Sequence, residues 1–355
     1  MAARDRRSAS STRPLAPSPA GSGVTIASVG RLAGVSIATV SRVLNNVPGQ
    51  VSLATRRRVL RVIRELDYRP NALARSLHQK RTHTIGLILP DITNPYYAEI
   101  ARGIEDAISR RDYTLITCNS DRKLDRISHS VALLREKQVD GIILGGGGTL
   151  GAPHFAALQG CGTRVVLIGR YEVKLPAVRV DNVAGARAAA LHLLGLGHRH
   201  IVVLAGPPSS STSVDRLAGY RRAFEESAVP FPSRSLRHGD LRPHSGYEAA
   251  RRLFASSRPP TAILAANDQM AIGAMRAILE CGLRVPDQVS VVGFDDIALA
   301  SFVTPALTTM ALPLHRMGVA AGEMILNPAT GGRQEVWFTP RLVVRESSAA
   351  PSART

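Results

Sequence analysis

Residues 32–45 read LAGVSIATVSRVLN, and this stretch decides the fold of the amino-terminal region. Apolar residues recur at helical spacing on both sides of its centre, with Ile26, Val29, Leu32 and Ala33 before it and Val40, Val43 and Leu44 after it. Gly34 suits a left-handed helix end, and Ser36 is a favoured residue at a helix start. Two short helices joined by a three-residue turn predict a helix-turn-helix, whose second helix lies in the major groove of DNA.

A third helix is predicted over Thr55–Leu66, with its arginines on the face opposite its apolar residues. Those arginines are Arg56, Arg57, Arg58, Arg61 and Arg64. Residues 1–82 carry 15 Lys+Arg and 3 Asp+Glu, a net charge of +12, out of +18 for all 355 residues. A small basic module on a nearly balanced body is the electrostatic footprint of a nucleic-acid-binding protein.

The composition excludes several other classes of protein. With 45% apolar residues the chain can bury a sizeable core. Its three cysteines, Cys118, Cys161 and Cys281, are too far apart for a disulfide framework or a CxxC metal site. No apolar run approaches the ~18–20 residues of a membrane span, and none follows the first arginines as in a secretory signal. We therefore expect a cytoplasmic, nucleoid-associated protein with no cofactor, no metal and no membrane partner.

The remainder of the chain alternates short apolar runs with helical patterns. The predicted strands are Thr84–Leu89, Tyr113–Cys118, Gly141–Leu144, Arg164–Ile168, Ile201–Ala205, Ala262–Ala265 and Val289–Phe294. Helices are predicted over Tyr96–Arg110, Val183–Gly195 and Asp268–Glu280, among others. This alternation predicts doubly wound parallel sheets, and about 270 residues are many for one such sheet.

Several segments closely resemble the lactose/galactose-repressor (LacI–GalR) family. They are residues 32–45, YRPNALARSL at 68–77, IGLILPDITNPYYAE at 85–99, RLAGY at 216–220, NDQMAIG at 267–273, GFDD at 293–296 and TPALTT at 304–309. Only residues 1–23 fall outside the match. The resemblance implies an all-α helix-turn-helix headpiece and an α/β periplasmic-binding-protein-like body, in which two doubly wound parallel-sheet subdomains are joined by three crossovers.

The implied domains follow the chain in order. They are a disordered basic tail at 1–23, the headpiece at 24–69, a hinge helix or linker at 70–81, an effector-binding and dimerisation domain at 82–346 and a disordered tail at 347–355. Subdomain 1 is expected at about 82–181 plus 313–337, and subdomain 2 at about 182–312 plus 338–346. The crossovers are expected near Asp181-Asn182, Ala311–Pro313 and Trp337–Pro340.

The resemblance also implies how DNA is read. Ile37, Ala38 and Arg42 would face the bases, and Arg42 fits guanine best. Short polar residues would contact phosphates, namely Ser36, Thr39, Ser41 and Asn45. In the hinge, Asn71 and Arg75 would contact the backbone or the minor groove, and Leu77 would be the wedge that kinks the duplex. The alternatives are a pure helix cap for Ser36 and a buried linker leucine for Leu77. Two headpieces on a homodimer imply a pseudo-palindromic operator.

The family's effector pocket maps onto seven residues. They are Asn94, Tyr96, Tyr97, Thr212, Arg216, Asn267 and Asp295. An acidic acceptor with guanidinium and amide donors among aromatic rings suits a sugar or sugar derivative. The tyrosines could instead pack in the core. The resemblance places Ser210 where the purine-binding branch of the family has a cation, which argues against a purine corepressor. An anionic sugar becomes an option if Arg170 and Arg216 both line the cleft.

The sequence also allows other functions. Residues 146–151, GGGTLG, fit G-x-G-x-x-G after an apolar run, which would suit an NAD(P)-dependent enzyme. A periplasmic sugar-binding protein would have a similar body but no headpiece. We expect a regulator rather than an enzyme, most simply a repressor, with an activator of the same family as the alternative. The absence of leucine heptads argues against a tetramerising coiled coil.

Overall fold

The computed structural model describes residues 24–46, 48–68, 81–148, 163–231, 236–256, 259–327 and 335–352. The chain forms two compact units, one ending at Lys80 and the other beginning at Arg81. The predicted tail at 1–23 and nearly all of the predicted hinge lie outside the described residues.

The first unit contains three helices, α1 (Ile26–Ala33), α2 (Ile37–Leu44) and α3 (Leu53–Glu65). Helix α1 ends at Gly34, which has a φ of 61°, and α2 leaves the turn at 104° to α1. The Oγ of Ser36 accepts from the backbone N–H of Thr39 at 3.2 Å and so caps α2. Six buried residues form the core between the helices, Val29, Ala33, Val40, Val43, Val59 and Val62. The predicted helix-turn-helix with a third helix is confirmed.

The second unit is an α/β body. Its strands are β1 (Thr84–Leu89), β2 (Thr114–Asn119), β3 (Gly141–Gly145), β4 (Arg164–Ile168), β5 (Ala177–Val180), β6 (Ile201–Ala205), β7 (Leu236–His238), β8 (Ala262–Ala265), β9 (Ser290–Val292), β10 (Thr309–Ala311), β11 (Glu335–Phe338) and β12 (Arg341–Val343). Its α-helices are α4 (Pro95–Ser109), α5 (Leu124–Glu136), α6 (Asn182–Gly195), α7 (Ser211–Glu226), α8 (Pro243–Phe254), α9 (Asp268–Glu280) and α10 (Leu314–Leu326). Among the described residues no single helix is long and apolar enough to cross a membrane, and only α1 and α2 taken together, across their bend, reach that length and composition.

Two parallel sheets organise the body, as predicted. The first has the order β11-β5-β4-β3-β1-β2 and the second has the order β7-β6-β8-β9. Strands β10 and β12 form a separate antiparallel pair. The chain passes from the first sheet to the second at Asp181-Asn182, returns after β10 and leaves again after β11. These passages coincide with the three positions where crossovers were predicted.

Close helix packing covers the first sheet. A Cβ on Gly103 of α4 would lie 2.1 Å from the carbonyl oxygen of His315 in α10, and a Cβ on Gly318 would lie 2.1 Å from the carbonyl oxygen of Ile100. Only glycine permits the two backbones to come this close. Reciprocal glycines therefore fix the position of α10, a helix from late in the chain, against α4.

The prediction of a disordered tail at 347–355 is wrong for residues 347–352. Ser347 is fully buried, and its Oγ donates to the carbonyl of Val291 and accepts from the backbone N–H of Thr308. The backbone N–H of Val291 also donates to the Ser347 carbonyl at 2.7 Å. The small polar residues suggested disorder by composition, but here they pair with β9, the edge strand of the second sheet. Residues 353–355 lie outside the described residues.

Candidate DNA interface and ligand cleft

Helix α2 presents one free face. Val40 and Val43 are buried against the other helices, which turns the remaining positions outward. The predicted base-facing residues Ile37, Ala38 and Arg42 are all exposed. Of the predicted phosphate-contacting residues, Ser36 and Asn45 are exposed, whereas Thr39 and Ser41 are half-buried. The structure thus places all seven on or beside one surface.

The chemistry of this surface fits a duplex. In the described part of the chain, no side chain pairs with the guanidinium of Arg42, so its donors are available to a partner. The side chain of Ile37 is 52% exposed, although burial would stabilise an apolar residue of this size. Ser36 does cap the helix, and its exposure leaves a phosphate contact open as well.

Helix α3 adds positive charge to the same unit. Its exposed arginines are Arg57, Arg58, Arg61 and Arg64, while Arg56 donates to the side-chain oxygen of Asn46 at 2.6 Å. The other predicted DNA-contacting residues, Asn71, Arg75 and Leu77, lie outside the described residues.

The body contains a cleft cavity where the strands of both sheets end. All seven predicted effector residues line it, together with others that include Arg122, Ser213 and Leu241. Asn94 follows β1, Arg122 follows β2, and Asp295 follows β9. Loops at the carboxyl ends of parallel strands are where ligands bind in open α/β sheets. The space between the atoms of this cavity is about 470 Å³, and part of it is open to solvent.

Arg216 is the centre of the cleft's hydrogen bonds. Its Nε donates to Asn182 Oδ1 at 3.0 Å and its Nη2 donates to Asp295 Oδ1 at 2.9 Å, while Nη1 donates to the Ala266 carbonyl. The guanidinium also lies 3.6 Å from the centre of the Phe294 ring. Only 5% of the residue is exposed, and such a buried charge needs all of these partners. Arg216 therefore links Asn182, Ala266 and Asp295 on one wall of the cleft.

Two interacting carboxylates are buried here, and one of them, Asp295, pairs with Arg216. Burial raises the pKa of Asp295 to about 6, although Arg216 opposes the shift. Burial and the charge of Asp295 raise the pKa of Asp268 well above its usual value. Asp268 is not among the residues that line the cavity. Its two carboxylate oxygens accept from the Thr309 hydroxyl and from the Ile297 backbone N–H. Of the two, Asp295 is the one placed to accept from a ligand.

The two tyrosines differ in their surroundings. Tyr97 is buried in the core of the body, and its hydroxyl accepts from Arg122 Nη2 at 3.1 Å. Tyr96 is half-buried and meets Tyr97 edge to face, with ring centres 4.8 Å apart. Burial raises the pKa of both phenols, so both stay neutral as hydrogen-bond donors. Both residues pack in the core and line the cavity.

Two asparagines that line the cavity also cap helices. The side-chain oxygen of Asn94 caps α4 by accepting from Tyr96 N–H, and that of Asn267 caps α9 by accepting from Met270 N–H. Asn267 also donates to the Leu241 carbonyl at 3.0 Å. Each amide nitrogen retains a donor hydrogen for the cavity.

Sequence reasoning missed three polar side chains at the cleft. Arg122 and Ser213 line the cavity, and Asn182 fixes Arg216 from behind. Arg122 had a usable signal, because it follows β2 at the carboxyl end, as Asn94 follows β1. Asn182 was predicted only as a crossover point.

Some predicted lining does not form. Arg170 turns away from the cavity and forms a two-pronged ion pair with Asp215, with N–O distances of 2.7 and 3.0 Å. The condition that Arg170 and Arg216 both line the cleft is therefore not met.

The glycine run at 146–151 begins as a tight loop after β3. Gly146 and Gly147 have φ values of 113° and 62°, and a Cβ on Gly147 would lie 2.4 Å from Ser211 Oγ. Residues 149–151 lie outside the described residues.

Comparison with known proteins accounts for both units. Residues 25–71 match the model of the bacterial regulatory proteins of the lacI family. Residues 82–340 match the model of periplasmic binding proteins and the sugar-binding domain of the LacI family. The chain belongs to the LacI family. The recognised resemblance is confirmed, and with it the fold.

Individual members of the LacI family match along nearly their whole length. Catabolite control protein A of Priestia megaterium is 37% identical over 331 residues, which cover 92% of this chain and 99% of that protein. The lac repressor dimer bound to operator and the anti-inducer ONPF is 29% identical, with a TM-score of 0.84 over 93% of this chain and 100% of its own. The complex of the transcriptional regulator CelR with cellobiose is 32% identical, with a TM-score of 0.68 over 92% and 100%. The first two are thus named as regulatory proteins and the third as a transcriptional regulator.

Proposed function

We propose that this protein is a transcriptional repressor that binds a pseudo-palindromic operator as a homodimer and is switched by a small sugar-like effector in the cleft. The observation that carries the proposal is that the chain has both an exposed face on α2, where Arg42 has no side-chain partner among the described residues, and a polar cleft at the strand ends of a separate unit. The operator-bound lac repressor and the cellobiose-bound CelR support it. It is a regulator, not an enzyme.

On the DNA side, Arg42 reads a guanine, while Ile37 and Ala38 meet thymine methyls or select by shape. Ser36, Thr39, Ser41 and Asn45 bind phosphates and set the helix in the groove. In the hinge, Asn71 and Arg75 contact the minor groove and Leu77 inserts as a wedge. The hinge at 70–81 and the subdomain boundaries given above are part of the same proposal.

On the effector side, a polyhydroxylated ligand matches the cavity's donors and acceptors. Asp295 accepts from ligand hydroxyls, and Asn94 and Asn267 donate their remaining amide hydrogens. Thr212, on the same helix as Arg216, adds a hydroxyl, and the half-buried ring of Tyr96 gives an apolar surface for a sugar ring. Arg216 acts mainly by orienting Asp295.

Switching follows from linkage. An effector changes the affinity for DNA only as far as it binds the two conformations of the body with different affinities. Contacts already cross the cleft, including Asp91 with Arg242 at 2.8 Å and the Ser211 hydroxyl with the Arg170 carbonyl at 2.7 Å. A ligand that strengthens or replaces these contacts shifts the balance.

The test is in vitro selection of DNA with the full-length protein, followed by a sugar screen on the selected duplex. We expect a palindromic consensus with two half-sites, two protein chains per duplex, and at least one sugar or sugar derivative that changes the binding. Replacing α2's Arg42 by alanine is the matched control for specificity. Selection of unrelated sequences only would contradict the proposal, and a reporter promoter carrying the consensus distinguishes repression from activation.

A further inference from the structure

Arg122 places a second guanidinium in the cleft cavity, on the wall formed by the first sheet. It follows β2 and lines the cavity, whereas Arg216 lies on the other wall. Its Nη1 donates to the Gly146 carbonyl and its Nη2 to the Tyr97 hydroxyl, both at 3.1 Å. Both partners are neutral, so the positive charge itself is not compensated.

The neighbouring acids are occupied elsewhere. Asp121, the adjacent residue, pairs with Arg126 in α5, and Asp91 pairs with Arg242. In the described part of the chain, no carboxylate pairs with Arg122. Since Asp295 is matched by Arg216, the lining of the cavity carries one positive charge in excess.

The backbone at this position is strained. Asp121 and Arg122 have φ values of 48° and 59°, in the left-handed region that non-glycine residues seldom adopt. Two consecutive residues of this kind cost free energy, and such strain persists mainly at sites of function. With this backbone conformation, the Arg122 side chain lines the cavity while Asp121 pairs with Arg126.

A second feature of the cavity is a buried hydroxyl. Ser213 lines the cavity and is only 5% exposed, yet its hydroxyl has no hydrogen-bond partner among the described residues. A buried hydroxyl without a partner is unfavourable, and a ligand oxygen would relieve it.

We propose that the effector is an anionic sugar derivative, a sugar acid or a sugar phosphate, whose charged group pairs with Arg122 while its hydroxyls meet Asp295 and Ser213. The inference rests on the proposed function and narrows its ligand class. It replaces Arg170, which the sequence suggested as the second cation, with a residue that does line the cavity. A guanidinium fork suits both carboxylate and phosphate, so the two kinds of anion are separate arms of the test.

The experiment is isothermal titration of the full-length protein at pH 7.5 with matched pairs of neutral and anionic sugars. The pairs are glucose with glucuronate, glucose with glucose 6-phosphate, and ribose with ribose 5-phosphate. In at least one pair we expect the anionic member to bind at least about tenfold more tightly, and added salt to reduce that ratio. The carboxylate and phosphate arms identify which anion is preferred.

Variants assign the effect to Arg122. Arg122→Gln is expected to bring the ratio of anionic to neutral affinity close to one, and Arg122→Lys to keep part of it. Arg187→Gln is the matched control, since Arg187 pairs with Glu226 and does not line the cavity. Arg126→Gln frees Asp121 and is expected to lower the ratio without touching Arg122. Circular dichroism melts of each variant check that it is folded.

Three results would overturn the inference. They are equal affinity within every pair, a ratio unchanged in Arg122→Gln, and no binding of any of the anionic sugars. The same preparations are titrated with the selected operator. If no anionic sugar binds but a neutral sugar alters operator binding, this inference fails and the proposed function stands, whereas absence of operator preference would remove the proposed function itself.

Discussion

The headpiece leaves its polar side chains exposed, whereas the cleft pairs its polar side chains with one another. On α2, Arg42 points to solvent without a partner in the described part of the chain. In the cleft, Arg216 is 5% exposed and is bound to Asn182, Ala266 and Asp295. The donors of Arg42 are therefore available to DNA, whereas those of Arg216 are already used within the protein.

This difference separates two kinds of substitution. Removing an exposed, unpaired side chain takes away a contact with the partner and leaves the fold intact. Removing one member of a buried network leaves the others without partners and destabilises the fold as well. Variants at exposed, unpaired headpiece residues should therefore change binding alone, whereas variants in the buried network of the cleft should change binding and stability together.

Arg216→Met is expected to have the largest effect. It leaves Asp295 as a buried charge with no counter-ion, and breaking a buried pair costs about 3–5 kcal/mol. Urea unfolding followed by the fluorescence of Trp337, the only tryptophan, reports on the body. The double variant Arg216→Met, Asp295→Asn should recover part of the loss. A loss below about 1 kcal/mol in the single variant would show that the network is not what holds this wall.

Arg42→Ala is expected to come next, with its effect confined to DNA. We expect a loss of about 1–3 kcal/mol of discrimination between the selected operator and a scrambled duplex in gel-shift titration, with unchanged unfolding of the body. Arg57→Ala, on the exposed face of α3, is the matched control and should weaken both duplexes alike. Undiminished preference for the operator would refute the base contact.

The headpiece was predictable because its information is local. The spacing of Val40 and Val43, the glycine at 34 and the cap at 36 all lie within one short stretch, and each acts on its own neighbours. The strands Thr84–Leu89, Arg164–Ile168, Ile201–Ala205 and Ala262–Ala265 were predicted to the residue, since each is a short, mostly buried apolar run.

The cleft was predictable only through resemblance, and only in part. Its residues come from segments as far apart as Asn94 and Asp295, and no periodicity brings such segments together. The position of Arg122 after β2 was a usable signal, but its uncompensated charge depends on Asp121 pairing with Arg126, which the sequence does not reveal. The carboxyl-terminal segment was mispredicted because composition does not reveal that Ser347 pairs with an edge strand.

Asp295→Asn is expected to have a smaller effect that depends on pH. The pKa of Asp295 is raised from 3.8 in the unfolded chain to about 6 in the fold, so the folded state holds a proton across that range. This group therefore lowers the free energy of unfolding as pH rises from 3.8 to about 6, by at most about 1.4 kcal/mol per pH unit.

The asparagine variant lacks that dependence and should gain stability relative to the wild type as pH rises. Urea melts between pH 4 and pH 7, again read by Trp337, measure the difference between the two curves. If the two curves are parallel, or if the variant loses stability relative to the wild type as pH rises, Asp295 is already ionised at low pH. In that case the cleft would be more solvated than its burial indicates.

Ser36→Ala is expected to have the smallest effect. It tests whether an exposed side chain of the headpiece contributes to stability as well as to DNA binding. Ser36 caps α2 and also lies on the exposed face, so its loss should destabilise α2 by about 1 kcal/mol and weaken DNA binding. Ser36→Asp separates the two roles, because aspartate caps a helix well but repels a phosphate. We expect hydrogen exchange over residues 26–44 to be normal in the aspartate variant while its affinity for DNA remains low. If aspartate restores both, Ser36 acts as a cap alone, and the phosphate contact belongs to its neighbours on α2.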